Sequence, residues 1–294
     1  MLTNPQRKTE FPRFATVACQ GAEGANSQTA ASAIFENPDI MYMRTFDGVF
    51  RAVNSGLCRY GILPVENSSA GTVTDVYDLM REYKFYIVRS VKIPVPHALL
   101  AKKKIGIERI TEIFTHEQAA RQCGKFLEQN PHLKLNLYAN TAAAARLVAE
   151  SNRTDIAAIA SESCAALYGL YVLAKNIQNY KRNYTRFVCI SKECEIYDGA
   201  DKISLMLSLE HKPGSLYEVI KEFAGLGLNL TKLESRPLAD TDFEFMFYFD
   251  LQANIESLAT ASLITRLSQN TKHFLFLGNY EDLPEKAVLT QGKS

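Results

Sequence analysis

The sequence lacks a net charge of consequence: 33 Lys plus Arg stand against 32 Asp plus Glu in 294 residues. Without a positive field the chain has no sequence-independent pull on nucleic acid or an anionic membrane, so small-molecule or protein partners are expected. Long apolar runs are also missing. The hydrophobic stretches are strand-sized and the first dozen residues are polar, which leaves neither a transmembrane helix nor a signal-peptide core and predicts a soluble, cytoplasmic protein. Cys19, Cys58, Cys123, Cys164, Cys189 and Cys194 form no Cys-x-x-Cys pair and have no His at metal spacing. Reduced thiols are expected, with no metal site. A nucleotide loop is absent too, because Gly21-x-x-Gly24 has neither the third Gly of the dinucleotide fingerprint nor a following Gly-Lys-Ser/Thr.

What is there suits two domains, since 294 residues with 47% hydrophobic side chains can fill two cores. Through residues 14–191, short apolar runs at 14–19, 60–65, 112–115, 133–139, 156–160 and 187–190 alternate with amphipathic or Ala-rich segments at 27–35, 72–82, 117–128 and 141–150. That order predicts an α/β domain of parallel sheets covered by helices. Pro94, Pro96 and Lys102 to Lys104 interrupt it and suggest two lobes, about 14–93 with 177–191, and about 94–176. A linker is expected at 192–202. Beyond it, Ile203, Leu205, Leu207 and Leu209 alternate with Ser204, Met206, Ser208 and Glu210 as a half-buried strand. Ser215 and Glu218 have capping-box spacing ahead of the stripe Leu216, Val219, Ile220 and Phe223, which stops at Gly225 and Gly227. Strands at 228–236, through Phe243, Phe245, Phe247 and Phe249, and at 273–277, with a helix at 256–269, complete a ferredoxin-like βαββαβ domain over 202–281. A polar, frayed tail is expected from Asp282 onward.

Ligands of open α/β sheets sit outside the carboxyl ends of the strands. The polar groups there are Gln20 to Ser27, Glu66 to Ser69, Thr115-His116, Asn140-Thr141 and Ser161-Glu162. Four of the five lead into helices, whose positive ends favour a carboxylate, and none carries a cationic cluster suited to polyphosphate. A small carboxylated substrate follows. Thr115, Asn140 and Ser161 also read as plain helix caps, and His116 as either a cap or a proton donor.

Several segments together carry a family resemblance. They are Gly21-Ala22-Glu23-Gly24-Ala25-Asn26-Ser27-Gln28, Pro64-Val65-Glu66-Asn67-Ser68 with Gly71-Thr72-Val73, Thr115-His116-Glu117-Gln118-Ala119 with Gln122-Cys123, Tyr184-Thr185-Arg186-Phe187, Gly214-Ser215-Leu216, and Glu234-Ser235-Arg236-Pro237. In this order, from Val17 to about Tyr280, the chain resembles prephenate dehydratases joined to an ACT regulatory domain. Asn26, Thr115 and Glu117 depart from the family's usual residues.

The resemblance implies a two-lobed, periplasmic-binding-type (type II) catalytic domain and a lyase of phenylalanine biosynthesis that aromatises prephenate to phenylpyruvate without cofactor or metal. It implies Thr185 on the leaving hydroxyl, Arg186 as a bidentate carboxylate clamp, and Glu66 or His116 as a proton source. Gly24, Ser27, Asn67, Ser68, Thr115, Gln122 and Phe187 would bind substrate. Gly214, Ser215, Leu216, Asn229, Leu230, Glu234, Ser235 and Arg236 would bind L-phenylalanine as allosteric feedback effector between the ACT domains of a homodimer or homotetramer. An arogenate dehydratase, or a regulatory protein that binds amino acids without chemistry, fits the same fold.

Overall fold

The computed structural model describes residues 6–180, 182–237 and 245–284. Lobe 1 opens with β1 (Gln6–Lys8), β2 (Thr16–Gln20), α1 (Asn26–Ile34), β3 (Asp39–Met43), α2 (Phe46–Asn54), β4 (Tyr60–Asn67), β5 (Gly71–Thr72), α3 (Thr74–Tyr83) and β6 (Tyr86–Pro94). The chain then crosses to lobe 2, which holds β7 (Ala98–Ala101), β8 (Glu112–Thr115), α4 (Glu117–Gln122), α5 (Gly124–Gln129), β9 (Lys134–Leu137), α6 (Thr141–Glu150), β10 (Ile156–Ala160), α7 (Glu162–Tyr168) and β11 (Tyr171–Ala174). It returns to lobe 1 as β12 (Tyr184–Ser191), followed by β13 (Glu195–Tyr197).

Both lobes have one plan. Lobe 1 runs β3-β2-β4-β12-β6 and lobe 2 runs β9-β8-β10-β7-β11. β12 and β7, each next to an interlobe crossing, run antiparallel to both neighbours, so the sheets are mixed where parallel ones were expected. The two crossings lie side by side: the Val95 N–H donates to the Asn183 carbonyl and the Ile177 N–H to that of His97. Ala30 and Ala31 let α1 lie close on one face of the lobe 1 sheet, against Val17, Ile62 and Cys189. Val49, Phe50 and Met80 of α2 and α3 cover Leu63 and Val188 on the other. Each large side chain buried this way is worth about 1.5–3 kcal/mol.

The last unit comprises β14 (Lys202–Ser208), α8 (Ser215–Gly225), β15 (Asn229–Pro237), β16 (Phe245–Gln252), α9 (Leu258–Asn270) and β17 (Phe274–Leu283). Its order β15-β16-β14-β17 is antiparallel throughout, and Val219, Phe223 and Leu263 of the helices pack on Ile203, Leu205 and Leu207. Phe243 lies outside the described residues. β14 is buried on both faces, where one was expected, because Met206, Tyr248 and Tyr280 join the lobe 1 core. β17 also outruns its expected end. Gly278 (φ 141°) passes so near the Ile87 carbonyl that any side chain would collide with it, and Glu281, Asp282 and Leu283 then pair in parallel with Arg89, Ser90 and Val91 of β6. The expected fraying at 282–283 is therefore corrected, while 285–294 lie outside the described residues. The expected linker at 192–202 is corrected as well: β13 pairs with β1, and the buried Glu195 carboxylate accepts from Lys8, Arg59 and Tyr60.

Candidate active site

A cleft of about 470 Å³ separates the lobes, at the carboxyl ends of β2, β4 and β8 and beside β12. Three helices begin at its wall: α1 with Asn26 and Ser27, α4 after His116, and α6 after Asn140. Asn140 Oδ1 caps the Ala143 N–H at 2.7 Å, and the Ser27 hydroxyl donates to the Gln20 carbonyl at 2.7 Å. The starts of α1 and α6 thus bring positive helix ends to the cleft. No Asp, Glu, Lys or Arg lines it among the described residues, and its only titratable side chains are His97 and His116. This surface favours an anion through dipoles and amides, with no fixed charge.

The polar floor has one hydrogen-bond polarity. Asn67 Oδ1 accepts the backbone N–H groups of Ser69 and Ala70 at 3.0 and 2.9 Å, which fixes its amide the other way round for donation. Asn67 Nδ2 donates to Asn183 Oδ1 at 3.0 Å and to Thr185 Oγ1 at 2.9 Å. Thr185 Oγ1 is therefore an acceptor within the protein. Its own proton has no protein acceptor among the described residues, and Thr185 lines the cleft, so this hydroxyl is a donor for a bound ligand.

Of the residues named from sequence, Thr185, Phe187, Asn67, Gln122, Ser27 and His116 line the cleft. His116 caps α4, Nδ1 accepting from the Gln118 N–H at 3.2 Å, so a neutral ring carries its proton on Nε2. Five expectations need correction. Arg186 points to the opposite face of β12 from Thr185 and Phe187, as strand alternation requires. Arg186 is 6% exposed, and its guanidinium stands 2.6 Å from Asp250 Oδ2 on β16, with Glu66 Oε2 at 3.7 Å, so both Arg186 and Glu66 belong to the seam with the C-terminal unit. Thr115 is fully buried, its hydroxyl donating to the Ile159 carbonyl at 2.8 Å. Ser68 is exposed and accepts the Tyr184 N–H at 2.9 Å, pinning β4 to β12. Gly24 is not among the residues that line the cleft: its N–H donates to Gln28 Oε1 at 2.6 Å and its carbonyl accepts from Cys164 of lobe 2 at 3.5 Å.

Two residues went unread. His97 lines the cleft at 5% exposure, and burial holds its imidazole below the usual histidine range. Asn183 donates to the Val95 carbonyl and to Gln122 Oε1, at 3.1 and 3.0 Å. Both stand on the interlobe crossings, where the strand-end rule does not look; Pro94-x-Pro96-His97 was the available signal.

A second cavity of about 350 Å³ opens in the C-terminal unit beside Pro213, Ser215, Leu216, Phe245 and Phe247. Gly214 caps α8 with φ 87°, and the Ser215 hydroxyl is buried without a partner among the described residues. The other residues expected there are elsewhere in this chain. Asn229 donates to Gln252, Leu230 packs in the helical core, and Ser235 is exposed. After a bulge between Leu230 and Lys232, the strand turns Glu234 toward Thr72 and Arg236 toward Asp78 of lobe 1. Among the described residues no three His, Cys, Asp or Glu gather as a metal site, and no helix is long and apolar enough to cross a membrane.

The prephenate dehydratase family profile matches residues 17–195. "Arogenate dehydratase/prephenate dehydratase 2, chloroplastic" of Arabidopsis thaliana is 35% identical over 280 residues, covering 90% of this chain and 72% of the relative. The bifunctional chorismate mutase/prephenate dehydratase of Escherichia coli K12 is 32% identical over 275 residues, covering 92% and 71%. Among solved structures, the prephenate dehydratase of Arthrobacter aurescens in complex with L-Phe superposes with a TM-score of 0.82 at 26% identity, covering 92% of this chain and 91% of that one. GqqA, described as a novel type of quorum quenching acylase, gives 0.82 at 28% identity, covering 93% and 100%.

Proposed function

The chain belongs to the prephenate dehydratase family, and from that premise we propose that its cleft converts prephenate to phenylpyruvate, carbon dioxide and water. The C1–carboxylate bond breaks and its electron pair enters the ring. The C4–oxygen bond breaks, and hydroxide departs with a proton as water. Aromatisation drives the step, so the protein has to bind two carboxylates, exclude water and ease the hydroxide off. The single observation that carries this reading is the polarity of Thr185: accepting from Asn67, it is left to donate to the departing oxygen. Of the two expected proton sources only His116 is at the cleft, since Glu66 is outside it, and its Nε2–H serves as a hydrogen-bond donor to the departing hydroxide, which takes its proton from water. With no Arg or Lys at the wall among the described residues, the carboxylates fall to the starts of α1 and α6.

Prephenate is favoured over arogenate because the lining holds no Asp or Glu among the described residues to pair an ammonium group. An acylase reading gains nothing here, since the one buried lining serine, Ser27, spends its proton on a backbone carbonyl. The equal strand order of the two lobes supports the periplasmic-binding-type plan, and the βαββαβ order supports an ACT unit at 202–281. In the ACT reading, L-phenylalanine sits at Gly214, Ser215 and Leu216 of one copy, completed by the edge strand β15 of a second. Binding there inhibits the enzyme, in a cytoplasmic homodimer or dimer of dimers. Incubation with prephenate and, separately, with arogenate is the test. Phenylpyruvate formed from prephenate, suppressed by L-phenylalanine, is expected; phenylalanine formed from arogenate alone would overturn the substrate assignment.

A further inference from the structure

Gln122 projects from α4 of lobe 2 into a cleft without a cationic side chain among the described residues, so the direction of its amide decides whether it attracts or repels an anion. Three contacts fix that direction. Its Nε2 donates to Asn67 Oδ1 at 3.2 Å, where the Asn67 oxygen is already identified by the two backbone N–H groups it accepts. Its Oε1 takes one hydrogen bond from Asn183 Nδ2 at 3.0 Å and lies 2.8 Å from His97 Nε2. An oxygen offers no hydrogen, so His97 Nε2 must carry the proton. The other ring nitrogen agrees: Nδ1 is buried and has no partner among the described residues, and a proton there would be an unsatisfied buried donor. The backbone of His97 is held on both sides, its N–H by Gln178 Oε1 and its carbonyl by the Ile177 N–H, each at 3.0 Å.

We propose that His97, held as the Nε2–H tautomer, is a positioning residue of this cleft: it clamps the Gln122 side-chain oxygen and so leaves the second Gln122 amide hydrogen for the anionic substrate. Gln122 spans the lobes through its bond to Asn67, and His97 stands on the crossing between them. The clamp therefore holds its geometry where the lobes meet. This inference rests on the dehydratase reading only for the identity of the anion.

Two measurements test it. Nitrogen-15 correlation spectra of the histidine-labelled full chain, with the His97 signal assigned by its loss in His97→Gln, are expected to give a protonated Nε2 and a bare Nδ1. An Nδ1–H tautomer or an imidazolium at neutral pH overturns the proposal, whatever the chain's activity. In steady-state assays with prephenate, His97→Leu is expected to raise KM roughly tenfold, the loss of one oriented hydrogen bond to a charged group, with kcat within about threefold. His97→Gln, which keeps a donor at the same reach, recovers most of that loss. A merely structural role would lower the melting temperature of both variants and leave KM alone. Wild-type KM in the Leu variant, or a Gln variant as impaired as Leu, also overturns the proposal. Absence of prephenate turnover in the wild-type chain would instead count against the dehydratase reading, with the tautomer measurement still deciding the role of His97.

Discussion

The guanidinium of Arg186 stands 2.6 Å from the Asp250 carboxylate, across the seam between lobe 1 and the C-terminal unit. Burial pulls the Arg186 pKa down more than any one neighbour raises it, but Asp250, Tyr280, Tyr77 and Glu66 together more than offset that loss, so the guanidinium stays charged. Thr185, one residue earlier, faces the cleft. A single strand thus carries a cleft hydroxyl on one face and a tie to the C-terminal unit on the other.

Removing Arg186 leaves the Asp250 charge buried without its ion-pair partner, held among the described residues only by the Ser204 hydroxyl. Arg186→Leu is expected to destabilise the fold by about 3–5 kcal/mol, and pairing it with Asp250→Leu should recover a large part of the loss. Urea denaturation of both single variants and the double variant measures this. A fully stable Arg186→Leu protein with a raised KM for prephenate would return Arg186 to the cleft.

Much of the site could be read in the sequence because the strand-end rule located the β2–α1, β4, β8–α4 and β9–α6 segments without reference to tertiary structure. Arg186 was misplaced although its address was legible: a period of two forbids Thr185 and Arg186 from sharing a face, and the motif they form hid that constraint. His97 and Asn183 were hidden for another reason. They lie on crossings with no periodicity, and their importance comes from Gln122 and Asn67, which are distant in sequence. The bulge in β15 was equally silent. Its Thr231 looks like any strand residue, yet it turns Glu234 and Arg236 away from the α8 cavity. The extension of β17 onto β6 depends on Gly278, one glycine whose close approach is set by a distant strand.

Burial keeps His97 neutral in the folded state, with a pKa below its ordinary value of 6.5. The unfolded chain takes up that proton first as the pH falls. Stability should therefore decline on acidification from about 6.5 toward the depressed folded value, and be fully present above that window. Thermal melts of wild type and His97→Gln between pH 7.5 and about 5 check the sign. The variant should lose less stability over the interval, and an equal or steeper loss would remove His97 as a source of the decline.

Gly214 holds φ 87° at the start of α8, a backbone setting that costs a branched residue about 1–3 kcal/mol. Gly214→Val should consequently distort the cavity beside Ser215 and weaken L-phenylalanine binding by roughly tenfold or more. Isothermal titration of the full chain measures it. Unaltered affinity in that variant would place the effector elsewhere.

Thr185 is expected to give a hydrogen bond to the oxygen leaving the ring. Single-turnover formation of phenylpyruvate from prephenate tests it most directly, comparing wild type with Thr185→Ser and Thr185→Ala of confirmed fold. The Ser variant should turn over near the wild-type rate and the Ala variant should fall by about 100-fold or more, as for loss of one donor to a developing charge. An Ala variant that turns prephenate over at the wild-type rate would contradict it.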